Sequence, residues 1–365
     1  MKIIYSVFTT GWGGLEKYPL TLAEELNIKG HEIIIVTIEG TKLHNEAVKK
    51  GIKTYTIKKF KKLDYKIISE LKKIVEIERV DIVHLNSSRE LYNWYFVLKN
   101  LKNIKLFLTF HIGVPNHRGI IHKILYERVN GVIAISSKEF QEMGKKLRID
   151  KNKIFKLYNG IDLKKFNTSI NSEFRKEIEI GNKERVITSI GNLSKPKGIL
   201  ELIAAAELVI KEYSDVVFVW VGDDTHVKEE YSLKSLREDI ENKGMSKKII
   251  LVGYRNDIRE ILKETDIFVL PAHNESFGIV YIEAMAMGIP VIGCNSGGVP
   301  DIIKEGTGFL CEPQNSNSLY EVIKIALNSN LDEIRENNKK YVEEFSMEKH
   351  IENLLKIYTN NHDIL

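Results

Sequence analysis

Residues 271–309 read PAHNESFGIVYIEAMAMGIPVIGCNSGGVPDIIKEGTGF. The run before them, Ile267-Phe268-Val269-Leu270, is apolar throughout, as a buried strand requires. Pro271 ends it and the polar loop Ala272–Ser276 follows. Phe277-Gly278-Ile279-Val280 opens an expected helix that runs to about Met287, where Gly288 closes it and Pro290 blocks its continuation. Val291-Ile292 begins the next strand. The unit is therefore strand–loop–helix–strand. Its polar loop lies at the carboxyl end of the first strand, the edge at which open parallel sheets hold ligands.

Two carboxylates mark the unit. Glu275 stands just before the helix and Glu283 eight residues later inside it, on roughly the same side but at a different depth. The backbone N–H groups of Gly278, Ile279 and Val280 open the helix, where unpaired donors and the helix dipole favour an anion. A phosphate there, a sugar near Glu275 and a ribose near Glu283 would fit one nucleotide sugar. The alternative makes Glu275 a helix-terminal charge and Glu283 a solvated face residue.

The run of motifs around them is longer than a single glycine pattern. It comprises Glu275, Phe277-Gly278, Glu283, Ala284-Met285-Ala286, Gly288-Ile289-Pro290-Val291 and Gly297-Gly298-Val299-Pro300. In this the sequence resembles the family 4 retaining glycosyltransferases of the GT-B fold. The resemblance implies an α/β protein of two Rossmann-like domains whose parallel sheets face across a cleft. Residues 1–165 would bind the acceptor and residues 166–344 the nucleotide sugar, with a C-terminal helix, about 345–365, packing back on the first domain.

Composition agrees with a globular chain of this kind. The 365 residues allow two domains, each with its own core. No apolar run approaches the roughly 18–20 residues of a membrane span, and Met1–Val7 reads as a first strand, not a leader. Cys294 and Cys311 are the only cysteines and show neither metal-ligand spacing nor a disulfide framework, so a reducing, cytoplasmic compartment is expected. Residues 1–165 hold 31 Lys and Arg against 17 Asp and Glu, a net +14; the remainder holds 23 against 33, a net −10. The basic half suits an anionic membrane surface or a phosphorylated acceptor, and no nucleic-acid motif accompanies it.

Along the first half, Ile3–Val7, Ile33–Thr37, Ile82–Leu85, Lys105–Thr109 and Val132–Ile135 read as strands, and Leu15–Lys29, Lys61–Glu78 and Ile120–Val129 as helices; in the second half Val186–Ile190 and Val216–Val221 read as strands, and another precedes Leu251-Val252-Gly253. The alternation argues a parallel sheet. Apolar residues from Phe60 to Val75 recur at helical spacing with Lys58, Lys59, Lys61, Lys62 and Lys66 off the stripe, either as a solvated face or as an anionic-membrane contact. The aromatic stretch Arg89–Phe96 either lines an acceptor site or is core. The loop Gly11-Trp12-Gly13-Gly14-Leu15-Glu16 lets backbone approach a phosphate but lacks the dinucleotide fingerprint.

By resemblance, Gly13, Gly14 and Glu16 form the family's Gly-Gly-x-Glu loop, which faces donor phosphates and acceptor, and His111 of Thr109-Phe110-His111 faces the donor sugar. His117 and Arg118 are placed for acceptor recognition. Leu157–Asp162 resembles the family's hinge signature. Lys197, before a helix, would neutralise the leaving diphosphate; Asn192 stands where the family has Arg, so either Lys195 or Arg255 compensates or the donor geometry differs. Tyr254 would stack on the base. Phe277, Gly278, Ile279, Val280 and Glu283 complete the donor site, and Glu275 with His111 and Lys197 the catalytic set. Asp223-Asp224 reads as a turn, since the family needs neither a metal nor another cofactor; the nucleotide-diphosphate sugar is a co-substrate. A UDP-sugar is favoured over GDP-mannose, and a cell-envelope glycan or lipid-linked acceptor is expected. A nucleotide-sugar epimerase and a non-catalytic sugar-nucleotide-binding protein are the alternatives.

Overall fold

The strands that are apolar along their whole length lie in the middle of two parallel sheets. The computed structural model describes residues 1–166, 169–224 and 231–359. Its first sheet contains β1 (Lys2–Val7), β2 (Glu32–Ile38), β3 (Lys53–Ile57), β4 (Ile82–Leu85), β5 (Lys105–Phe110), β6 (Gly131–Ala134) and β7 (Ile154–Lys156). The order is β3-β2-β1-β4-β5-β6-β7. The second contains β8 (Arg185–Ile190), β9 (Val216–Val221), β10 (Ile249–Gly253), β11 (Ile267–Leu270), β12 (Val291–Cys294) and β13 (Gly308–Cys311), in the order β10-β9-β8-β11-β12-β13. Neighbouring strands are parallel throughout. The two Rossmann-like parallel sheets expected of a GT-B chain are both present. Strand order reverses between β1 and β4 and between β8 and β11, and it is outside the carboxyl ends of strands at such points that open parallel sheets hold ligands.

The chain divides into two units, Met1–Tyr158 with the stretch from His350 onward, and Asn159–Lys349. The first unit thus ends at Tyr158, not at residue 165. The reason is local: the Ile161 N–H donates to the Phe345 carbonyl at 2.9 Å, and the Ile161 carbonyl accepts from the Met347 N–H at 2.8 Å, so the Asn159–Asp162 turn belongs to the second unit. The last described helix, Met347–Thr359, is tied into the first unit at its far end. Tyr358 Oη lies 2.5 Å from His84 Nδ1 and 3.1 Å from Tyr5 Oη, and Lys105 Nζ donates to the Tyr358 carbonyl. The part of the expected terminal helix beyond Thr359 lies outside the described residues.

One expectation needs correction and one alternative is decided. The helix expected over 61–78 begins at Tyr65, because the Asp64 side chain accepts from the Lys66 N–H at 2.9 Å and caps it. Phe60 and the lysines from 58 to 62 therefore lie on the connection after β3. The aromatic stretch forms the helix Leu91–Leu98, and Tyr92 and Trp94 are core: Trp94 is fully buried and its Nε1 donates to Ser6 Oγ at 2.9 Å.

Candidate active site

In the second unit three loops close on one carboxylate. The Gly191–Gly198 loop follows β8, and Lys197 ends a 3-10 turn there. Gly198 has φ 77, and a Cβ on it would lie 2.1 Å from the Pro271 carbonyl oxygen, so only glycine lets this loop seat against the one after β11. The His273 N–H donates to the Pro196 carbonyl at 2.8 Å. Lys197 Nζ then reaches Glu275 at 2.5 Å, with both side chains largely buried. The third loop, after β12, holds Glu275 from behind. The Gly298 N–H donates to the Glu275 carbonyl at 2.8 Å, and the Ser296 hydroxyl donates to the His273 carbonyl at 2.8 Å. Gly297 has φ 64, and a Cβ there would come within 1.9 Å of the Glu275 oxygen. The Gly297-Gly298 pair is thus the support on which Glu275 rests.

Beyond Gly278 the helix runs from Ile279 to Ala286. Ile279 and Val280 present first-turn N–H groups, and half-buried Glu283 follows one turn in. The Tyr281 hydroxyl donates to the Leu270 carbonyl at 2.5 Å and fixes this helix to β11. Phe277 is buried, its ring against Phe345, so its side chain packs the core. Asn192 is exposed on the loop after β8. Tyr254 is exposed just after β10, and its hydroxyl donates to Asn256 Oδ1 at 2.8 Å. Arg255 is not available to replace the missing arginine: its guanidinium is held by Glu177 and Asp257, which keep its pKa above the ordinary value. The Asp224 carboxylate accepts from the Leu233 N–H at 2.9 Å, at the start of a helix. Among the described residues no group of three or more His, Cys, Asp or Glu is placed to hold a metal.

In the first unit the loop after β1 is stapled by its own glutamate. Glu16 is buried, and its Oε2 accepts from the Gly13 N–H at 2.7 Å as the helix Gly14–Ile28 begins. His111 follows β5, and its Nε2 lies 2.9 Å from Asn86 Oδ1. Asn86 Nδ2 donates to the Ser6 carbonyl, which fixes the amide and makes His111 Nε2 the protonated nitrogen. Burial lowers the His111 pKa to about 4, so the ring is neutral near pH 7 and its Nδ1 is an acceptor. Glu90 is fully buried beside this loop. Ser6 Oγ donates to its Oε2 and the Phe8 N–H to its Oε1 at 3.1 Å, yet burial outweighs both and raises its pKa to about 7. His117 and Arg118 are engaged elsewhere. His117 stacks on His122 at 4.0 Å and bonds Tyr126 Oη, and Arg118 donates to the Lys145 carbonyl at a helix end.

The two units also match two family models. Residues 170–359, over half of the chain, match the model described as glycosyl transferases group 1. The chain belongs to that family. Residues 12–165 match the model for glycosyltransferase family 4. The chain is 25% identical to an N-acetyl-alpha-D-glucosaminyl L-malate synthase of Bacillus anthracis, over 82% of this chain and 81% of the relative. It is 28% identical to the UDP-Gal:alpha-D-GlcNAc-diphosphoundecaprenol alpha-1,3-galactosyltransferase of Escherichia coli, over 81% and 79%. A crystal structure of a glycosyltransferase from Rickettsia africae superposes with a TM-score of 0.87 at 26% identity, covering 100% of this chain and 99% of the other.

The sequence named the loops that carry these residues but not three of the side chains that support them. Glu90 sits among aromatics and carries no motif; its hydrogen-bond partner Ser6 lies 84 residues away. His350 stacks edge-on against Tyr18 at 5.6 Å and bonds the Tyr158 carbonyl, from the far end of the chain. Ser296 precedes a recognised glycine pair, yet its bond to the His273 carbonyl has no sequence signal.

Proposed function

We propose that the chain is a retaining, metal-independent hexosyltransferase. It moves a sugar from a nucleotide-diphosphate sugar, a UDP-sugar rather than GDP-mannose, to a cell-envelope glycan or lipid-linked acceptor. It works in the cytoplasm, peripherally at the inner face of the membrane. The observation that carries this reading is the Lys197–Glu275 pair set before the helix start at Ile279. When the bond from the anomeric carbon to the diphosphate oxygen breaks, the carbon becomes cationic and the diphosphate leaves as an anion. Lys197 has three N–H donors and commits one to Glu275, so others remain for phosphate oxygens. The N–H groups of Ile279 and Val280 add fixed positive charge at the same anion. Glu275, held by Gly298, accepts hydroxyls of the sugar, and Glu283 holds the ribose. Asn192 and Tyr254 border the nucleotide. The first unit has groups of its own for such chemistry: the Gly13-Gly14 loop can approach a phosphate, and His111 Nδ1 can accept from a hydroxyl. An acceptor hydroxyl oxygen bonds the anomeric carbon as its bond to the diphosphate breaks, and the hydroxyl proton passes to the departing diphosphate oxygen. The UDP-sugar and the undecaprenol-linked acceptor named for the Escherichia coli relative support the choice of substrate class.

Calorimetric titration with UDP tests the division of labour. Glu283→Ala is expected to weaken UDP binding about tenfold, the loss of one charge-assisted hydrogen bond. Glu275→Ala should bind UDP nearly as wild type does and fail to transfer. Equal loss of UDP affinity in both variants would refute the assignment.

A further inference from the structure

The helix Ile120–Arg128 packs Leu125 and Tyr126 inward, yet its outer side is apolar too. Ile120 is 72% exposed and Ile121 65%, and Ile112, one residue beyond His111, is 78% exposed. A helix apolar on both sides has a second contact to make. The segment after β3 adds Leu63 and Tyr65, at 55% and 75% exposure. Leu63 sits at φ 57, a left-handed conformation that a leucine rarely adopts, so its outward position is held at some cost in backbone energy.

Both segments rest on the helix Leu91–Leu98. Asn93 Nδ2 donates to the Lys61 carbonyl at 2.9 Å, and the Asp64 N–H donates to Asn93 Oδ1 at 3.2 Å. Next to it, Tyr92 Oη lies 2.7 Å from His122 Nε2, and Lys62 Nζ stands 3.5 Å above the Tyr92 ring. The exposed isoleucines, Leu63 and Tyr65 are therefore on adjoining elements, with lysines among them. Lys58, Lys59, Lys61, Lys62 and Lys66 are all exposed, and among the described residues none of them forms an ion pair. Apolar side chains set in positive charge match the surface of an anionic bilayer: the former enter the boundary of headgroups and acyl chains, and the latter meet lipid phosphates. A protein partner would cover the isoleucines but has no general need of five lysines that form no ion pair among the described residues.

We propose that this face of the first unit seats the protein on an anionic lipid bilayer, with Ile120 and Ile121 entering the interface. The proposal rests on the reading of a lipid-linked acceptor, because Ile112 carries the apolar face to within one residue of His111.

The test sediments the full-length protein with vesicles of phosphatidylcholine alone and of phosphatidylcholine mixed with phosphatidylglycerol, at low and high salt. Binding is expected to the mixed vesicles only and to weaken with salt. Ile120→Ser with Ile121→Ser should reduce binding about tenfold or more, and Lys58→Glu with Lys59→Glu and Lys61→Glu should abolish it. All five positions are exposed, and unchanged thermal midpoints would establish that the variants fold. Undiminished binding of the serine variant would overturn insertion, as would no binding to mixed vesicles. A dimer in solution that the serine variant breaks, without vesicle binding, would assign the face to a second copy and overturn the proposal. Release of UDP from a UDP-sugar without vesicles is measured in parallel. Turnover without vesicle binding would sink this proposal alone, and vesicle binding without turnover would sink the transferase reading alone.

Discussion

Replacing Glu90 by Gln should change how stability depends on pH. The native carboxyl has a pKa of about 7 because it is buried, against 4.5 in the unfolded chain. Below pH 4.5 both states are protonated and burial carries no ionisation cost. As pH rises toward 7 the unfolded state ionises first, so the wild type loses stability across that window. The gap of about 2.5 between the two values, at about 1.36 kcal/mol each, makes the full loss about 3 kcal/mol. Glutamine mimics the protonated acid: its amide can donate to Ser6 Oγ while its oxygen accepts from the Phe8 N–H. Glu90→Gln should therefore nearly match the wild type at pH 4 and exceed it by about 3 kcal/mol at pH 8. Urea unfolding followed by tryptophan fluorescence at the two pH values reads this as a difference of differences. The buried histidines His84, His111 and His350, whose pKa values burial lowers, contribute the opposite slope, but equally in both proteins. The same stability difference at both pH values would show that Glu90 does not titrate in this range and refute the argument.

Gly297→Ala would place a methyl group against the Glu275 carbonyl, so transfer should fall about tenfold or more and the thermal midpoint should drop, with UDP affinity changed far less. A fully active alanine variant would show that the loop is not the support of Glu275. Lys197→Ala should lower transfer about a hundredfold, while the exposed Lys211→Ala should be neutral in the same UDP-release assay. Wild-type activity in Lys197→Ala would place the diphosphate elsewhere. Asn192→Arg should leave transfer unchanged or raise it, and a marked loss would contradict a position facing the diphosphate.

The central strands were legible because a strand covered on both faces must be apolar at every position, as in Ile267–Leu270 and Val216–Val221. Three strands escaped notice, and each is a sheet edge. Lys53–Ile57 reads KTYTI with little apolar continuity, Ile154–Lys156 has three residues, and Gly308–Cys311 is largely uncovered. The site was legible where a residue type and its spacing are fixed by local geometry: a glycine before a helix, a carboxylate ahead of it, a histidine ending a strand. It was illegible where a partner is distant. Nothing near Lys197 announces Glu275, 78 residues on, and nothing near His84 announces Tyr358. Arg255 shows the converse, since its charge suggested a phosphate contact until Glu177 and Asp257 were found holding it.

The return of the chain to its first unit at His350 has a consequence for biosynthesis. Tyr358 closes over Tyr5 and His84 between the strands at the heart of the first sheet, so that sheet's packing is incomplete when residue 158 has been made. At about 5–20 residues per second, the remaining 200 or so residues take roughly 10–40 s to synthesise. During that interval the nascent first unit must either stay partly open or hold a provisional core, with the imidazole of His84 lacking its tyrosine. Order of synthesis and order of folding are thus uncoupled: the second unit holds all its own strands before the first can be finished. A ribosome-stalled series should show protease resistance arising in the second unit first and in the first only after the final helix emerges.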